Sequence, residues 1–468
     1  MTNCSLAVDI GASGGTVVSG YLENNKMKLD EIHRFENKMI KKNGHFCWDI
    51  ETLFSEIKKG IYQSKKQGLH PESIGIDTWA VDFVLLDEND ELLTDAVAYR
   101  DPRTDGMMEE VFEKIPREKL YFETGIQFQK FNTIYQLHWM KKNQPEILER
   151  AKTFLMLPDY LNFLLTGTKA NEYTNATSTQ LVNAFSKQWD KELMELLGID
   201  SDMFQKILPP KSELGSLRSE LVEEFGFDMT VLLPATHDTG SAVVAVPESE
   251  DSIYISSGTW SLIGVENTFP ITITKAQNYN FTNEGGLDYR FRFLKNIMGL
   301  WMIQEVKRLY EHQYSFENLA DLAEQETDFH AKINVDDDRF LNPKNMIEEI
   351  KITCEETGQS VPETPGQIAK CVFDSLAVSY QQAIDQIEEI YEKEFKKINV
   401  IGGGSKNKML NQLIADTTKK EVLAGPIEAT AIGNLTSQLI ATGKISGLSE
   451  ARRIIKQSFE IKTYTTKK

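Results

Sequence analysis

Thr236-His237-Asp238-Thr239-Gly240 lies near the middle of the chain, preceded by an apolar run at 231–233 and Pro234 and followed by a second apolar run at 242–246. The pattern reads as strand, tight turn and helix start. It sets the Asp238 carboxylate near a helix N-terminus, where it could accept a proton or simply cap the helix. A second stretch, Asp9-Ile10-Gly11-Ala12-Ser13-Gly14-Gly15-Thr16, lies between strand-like runs at 5–10 and 17–22. Its backbone N–H groups can approach anion oxygens, assisted by the hydroxyls of Ser13 and Thr16, although an ordinary hairpin turn would have the same composition. A P-loop is excluded, because neither a following helix nor a Gly-Lys-Ser/Thr ending is present. Ser256-Ser257-Gly258-Thr259-Trp260 repeats the strand, small-residue turn, strand layout, and Gly402-Gly403-Gly404 ends a strand ahead of a helix at 408–417.

Several elements must hold these turns in place. The 468 residues predict two domains of about 200 to 250 residues each. A hydrophobic content of 41% is ample for two cores. Strands and helices alternate, with a capped amphipathic helix from 48 onward and two strands within 73–87, so the fold class is α/β. Residues 105–200 have helical periodicity, with a polar loop before them at 99–103 and a polar, aromatic one at 171–179. Helices are expected at 293–305, 369–391, 433–442 and 448–459, with an acidic, weakly patterned stretch at 311–365 and a polar tail at 460–468. Asp and Glu number 70 against 51 Lys and Arg, a net charge of −19 that argues against nucleic acid and anionic membranes as partners. Cys4, Cys47, Cys354 and Cys371 have no metal-type spacing, and with no secretory leader pattern the expected setting is the cytoplasm, with free thiols.

Taken in order, Asp9–Thr16, Ile76-Asp77-Thr78-Trp79-Ala80-Val81-Asp82-Phe83, Tyr99-Arg100-Asp101-Pro102-Arg103, Phe131-Asn132-Thr133-Ile134-Tyr135-Gln136, Thr236–Thr239, Ser256–Leu262, 292–301 and the triple glycine resemble the sugar kinases with the FGGY signature, of the actin–hexokinase–Hsp70 superfamily. The broader signature has Lys where this chain has Gln136, and the nearest branch often has Gly where this chain has Ala80. The resemblance implies two actin-like (ribonuclease H-like) domains with a nucleotide and sugar cleft between them. These would be 1–246 for the sugar and 247–468 for the nucleotide, the last helix packing back on the first domain. It implies an ATP- and Mg²⁺-dependent transfer to the 1-hydroxyl of a ketose, L-rhamnulose first, with L-fuculose, L-ribulose and D-xylulose as alternatives. A non-catalytic ATP switch is the alternative from another class, and the assembly would be a monomer or homodimer. Asp238 would be the base. Trp79, Ala80, Asp82, His237, Thr239 and Asn296 would line the sugar, and Asp9 would hold Mg²⁺ through water, with Asp77 a second candidate. Ala12, Ser13, Gly14, Gly15, Thr16, Gly258, Thr259, Gln304 and Gly403 would meet the nucleotide.

Overall fold

The computed structural model describes residues 2–248 and 250–467, which form two compact units. The first comprises Met1–Ala245, Glu266–Phe293 and Thr430–Ser458; the second comprises Val246–Val265, Leu294–Ala429 and Phe459–Lys468.

In the first unit β1 (Thr2–Gly11), β2 (Gly14–Glu23) and β3 (Lys26–Glu36) form an antiparallel meander. On the other side of β1 the strand Leu69–Thr78 pairs in parallel, followed by Thr230–Leu232 in parallel and Glu213–Ser216 at the antiparallel edge. Leu6, Ala7, Val8 and Ile10 of β1 are all buried, as in a strand covered on both faces. One cover is α1 (Ile50–Lys66), whose N-cap Asp49 accepts from the Thr52 N–H. Its Gly60 lies where an added Cβ would come within 2.4 Å of Val17. On the opposite face Ala431 and Leu435 of the helix Ala429–Ala441 pack against Ala7 and Val18. Polar contacts fix that helix as well: Gln438 Nε2 donates to Leu6 O at 2.9 Å, and Ser73 Oγ donates to Gln438 Oε1 at 2.7 Å.

The second unit repeats this layout. Ser252–Ser257 and Trp260–Asn267 form an antiparallel hairpin, with Phe291–Met298 next in the sheet after Trp260–Asn267. On the other side Lys397–Ile401 and Glu421–Ala424 follow in parallel. In both units an antiparallel hairpin with a further strand beside its second strand is continued on the other side of its first strand by two later parallel strands, so the weak sequence repeat reflects a repeated core topology.

Several expectations are corrected. The stretch expected as a helix from 293 to 305 is the strand Phe291–Met298 followed by the helix Trp301–Leu309. The break falls at Gly299, where an added Cβ would lie 2.5 Å from the backbone of Trp260, so no side chain can pass the hairpin there. The polar tail includes an edge strand, Lys462–Tyr464, recruited by pairing with Glu421–Ala424. The acidic stretch contains the helices Phe316–Gln325, with a Ser315/Asn318 capping box, and Met346–Glu356. Within the mostly helical 105–200 region, Thr153–Met156 is a strand paired with Phe83–Leu86. Cys354 and Cys371 are buried free thiols with their Sγ atoms 3.9 Å apart. No helix among the described residues is long and apolar enough to cross a membrane.

The helix Ala429–Ala441 meets the helix Asp238–Val244 at Gly433, where an added Cβ would lie 1.7 Å from Ser241 O. Because that neighbour is backbone, Gly433→Ala should destabilise the protein by about 1–3 kcal/mol, read as a lowered Tm in thermal unfolding.

Candidate active site

The strand Thr230–Leu232 leads through Pro234 into a turn that continues alongside the end of Leu69–Thr78. Thr78 N donates to Thr236 O at 2.9 Å, and Thr78 pairs with His237 as a parallel bridge. The helix Asp238–Val244 starts there with His237 as its N-cap residue. Asp238 is thus in the first helical turn, its side chain 30% exposed, where the helix dipole favours the carboxylate. Thr239 N and Oγ1 both donate to Asp238 Oδ1, at 2.5 and 3.1 Å, and His237 Nε2 lies 3.4 Å from the same oxygen.

The turn is held from below by Glu172. This fully buried carboxylate accepts from Thr236 N (3.0 Å) and Oγ1 (2.7 Å), from Thr174 N (2.9 Å) and Oγ1 (2.5 Å), and from Asn175 N (3.3 Å). Burial pushes its carboxyl above the usual range against those donors. Thr174 Oγ1 also accepts from His237 N at 3.2 Å, and Asn175 Nδ2 donates to both Thr236 O and Trp79 O.

Asp9 of β1 and Asp77 are register partners at the ends of adjacent parallel strands. Burial, then the Asp9 carboxylate, pushes the Asp77 carboxyl well above its usual range, with Asp238 adding to the effect. Asn434 Nδ2 donates to Asp77 Oδ2 at 2.6 Å, and Asp77 Oδ1 is a buried acceptor without a hydrogen-bond partner. No group of three or more His, Cys, Asp or Glu side chains that could hold a metal by itself occurs among the described residues.

Beyond Thr78 the chain bends at Trp79-Ala80-Val81-Asp82, where Val81 has φ +68°. A β-branched residue in the left-handed region is strained. Three side chains hold it: Ser178 Oγ accepts from Val81 N, while Thr133 Oγ1 and Gln136 Nε2 donate to Val81 O. Trp79 is only 5% exposed, packs at a tilt against Trp48 with ring centroids 4.2 Å apart, and donates from Nε1 to Asp82 Oδ2 at 2.9 Å. Trp48 Nε1 and Tyr99 N donate to the same oxygen, and Gln136 Nε2 to Oδ1 at 3.2 Å. The indole and the carboxylate expected at the sugar therefore form a buried wall, while Ala80 is the half-buried residue of the bend. Burial pushes the Asp82 carboxyl up to about 6, opposed by these donors.

The turn between β1 and β2 is pinned by Asn37, whose Nδ2 donates to Gly11 O and whose N donates to Ser13 O. Ser13 is exposed, Ala12 half-buried, and Thr16 buried. Gly14 and Gly15 leave no room for side chains, since added Cβ atoms would lie 3.0 and 2.3 Å from Phe35. In the second unit Gly258 is exposed and Thr259 half-buried at the hairpin tip. Their carbonyls accept from Leu300 N and Trp301 N, which ties the tip to the start of the helix bearing Gln304. Gly404 packs on Ser257, where an added Cβ would lie 2.0 Å from its Oγ, while Gly403 is exposed with nothing within 4 Å of an added Cβ. Asn296, on the strand Phe291–Met298, has a buried Oδ1 without a hydrogen-bond partner.

Residues 4–245 match the FGGY family of carbohydrate kinases, N-terminal domain, and residues 253–442 match its C-terminal domain. The chain belongs to the FGGY family of carbohydrate kinases. This FGGY kinase is 66% identical over 464 residues to a Rhamnulokinase of Oceanobacillus iheyensis, covering 99% of this chain and 98% of that one. It is 64% identical over 464 residues to a Rhamnulokinase of Halalkalibacterium halodurans, covering 99% of each. Among solved structures, gluconate kinase from Lactobacillus acidophilus superposes with a TM-score of 0.83 at 18% identity, covering 100% of this chain and 94% of that one. The fold is the two-domain, mixed α/β fold of FGGY carbohydrate kinases.

In this kinase the first unit brings together Asp9, Asp77, His237, Asp238 and Thr239, and separately the Trp79–Asp82 bend. The second unit brings together Gly258, Thr259 and the triple glycine. Sequence reasoning missed Glu172, Asn434, Arg292 and Asn37. Glu172 had a signal in the polar loop at 171–179, and Arg292 opens the 292–301 stretch that carries the resemblance, but neither was given a role.

Asp82 gives a pH test. The folded kinase keeps its proton up to about pH 6, whereas an unfolded aspartate releases it near 4. Its stabilising contribution is therefore complete below about pH 4 and is lost as pH rises through about 6, a change of roughly 3 kcal/mol. Asp82→Asn should remove that slope, so the wild type loses stability relative to the variant between pH 4.5 and 7 in denaturant titrations.

Proposed function

We propose that this kinase transfers the γ-phosphoryl group of ATP to the 1-hydroxyl of L-rhamnulose, giving L-rhamnulose 1-phosphate and ADP. The observation that carries the substrate is the near-full-length similarity to proteins named Rhamnulokinase. Asp238 is the base. The contacts from Thr239 and His237 converge on Oδ1, which leaves Oδ2 to take the hydroxyl proton as the sugar oxygen attacks phosphorus and the bond to the β-phosphate oxygen breaks. Residues 1–246, with the segments 266–293 and 430–458 that pack on them, form the sugar-binding domain, with Ala80, His237 and Thr239 at the sugar, and the rest of 247–468 the nucleotide-binding domain. Asn296 adds a sugar contact, for which its unpartnered buried Oδ1 suits a hydroxyl donor. Ala12–Thr16, Gly258, Thr259 and Gln304 serve the nucleotide, and the empty surroundings of Gly403 suit a flat adenosine face. The acidic pair Asp9 and Asp77, with its orphaned Oδ1, fits a Mg²⁺ ion held by Asp9 through water. Such an ion neutralises phosphate charge when bound.

Asp238→Asn should retain nucleotide binding by calorimetry and lose at least about 10²–10⁴-fold in kcat. In a coupled ADP assay L-rhamnulose should give a higher kcat/KM than L-fuculose, L-ribulose, D-xylulose or glycerol. A different leading ketose would overturn the substrate assignment and leave Asp238 standing.

A further inference from the structure

His237 has a second set of neighbours that its expected role at the sugar does not explain. Arg292 is 0% exposed. Its Nε donates to Gly285 O at 2.8 Å, and its NH2 donates to His237 Nδ1 at 2.9 Å. Glu284 pairs with the same guanidinium nitrogen at 3.0 Å, and its Oε2 also approaches His237 Nδ1 to 3.2 Å, without completing a hydrogen bond. The pair sits on a platform: Gly285 N donates to Thr177 Oγ1 at 2.8 Å, and an added Cβ on Gly285 would lie 2.6 Å from the Tyr173 ring. A guanidinium can only donate. A ring nitrogen that receives its N–H must therefore present a lone pair, and the proton of a neutral imidazole then sits on the other nitrogen. That other nitrogen, Nε2, is the one 3.4 Å from Asp238 Oδ1.

We propose that Arg292, with Glu284 balancing its buried charge, is a positioning residue that holds His237 as the Nε2–H tautomer, a fixed donor beside the accepting carboxylate of Asp238. The two side chains then present one donor and one acceptor to adjacent sugar oxygens. Asp238 takes the proton of the hydroxyl that attacks, and His237 donates to the oxygen on the neighbouring carbon. This inference rests on the proposed sugar kinase reaction for its consequence and on geometry alone for the tautomer. Glu284 is suited to its part: burial alone would raise its carboxyl, but the Arg292 guanidinium beside it opposes that, and the carboxyl is held below the usual range.

The test has two independent readouts. In protein labelled with ¹⁵N-histidine, two-bond ¹H–¹⁵N correlations report which ring nitrogen carries the proton, the His237 signal being assigned by its loss in His237→Gln. The wild type should show protonated Nε2. Removing Arg292 alone would strand a buried carboxylate, so the apolar pair Arg292→Met/Glu284→Leu is the principal variant. It should show a mixture of tautomers, with KM for the best ketose raised about tenfold, the cost of one hydrogen bond, and KM for MgATP unchanged. Arg292→Lys, which keeps a charged donor, should restore Nε2 protonation. A wild-type ring protonated at Nδ1, or a paired variant that keeps both tautomer and sugar KM, would overturn the proposal. Failure of every sugar to turn over would instead overturn the reaction while leaving the spectrum to decide the tautomer.

Discussion

A carboxylate with no access to water must be satisfied by donors from the protein, and Glu172 meets that demand in a way that organises the first unit. Its five donors come from Thr174, Asn175 and Thr236, so the turn before Asp238 cannot move without stranding a buried charge. The same short segment reaches the Trp79–Asp82 bend through Asn175 and Ser178. Two turns separated by more than 150 residues of sequence are thereby held to one frame. Asp159 lies against this frame, its two oxygens accepting from Glu172 N. Burial first, and Glu172 second, pushes the Asp159 carboxyl well above its usual range.

The strain at Val81 belongs to the same arrangement. A positive φ at a β-branched residue costs of order 1–3 kcal/mol and persists only where the surroundings over-determine it. Here Ser178, Thr133 and Gln136 take up both backbone polar groups of Val81. Gln136 also reaches Asp82 and accepts from Arg103 at 2.7 Å, so this glutamine joins the bend to the arginine loop. A chain of net charge −19 that handles phosphate must concentrate its positive potential locally. Under the proposed nucleotide site, the repeated hairpins would offer backbone N–H groups for this without adding basic side chains.

Much of this was legible locally. The two hairpins announce themselves by apolar runs on either side of small-residue turns, and Asp238 by a strand, a turn and a helix start, because those signals depend on near neighbours in sequence. The expected helix at 293–305 begins inside the strand Phe291–Met298 because a short mixed run does not distinguish a period of two from one of 3.6. The edge strand Lys462–Tyr464 was invisible because only its partner Glu421–Ala424 makes it a strand. Trp79 and Asp82 have the composition of a sugar site, yet their polar atoms are used on each other and on Trp48, Tyr99 and Gln136.

The amino-acid sequence by itself determined the α/β class, the repeated hairpins, the family and the identity of the acidic turn, all carried by residues within a few positions of one another. The tertiary structure alone decided what surrounds that turn. Glu172 lies 64 residues from Thr236, Arg292 lies 55 from His237, and Asn434 lies 357 from Asp77. The energy of a buried charge depends on which donors the fold brings within 3 Å of it, and no local pattern of side chains encodes that distance.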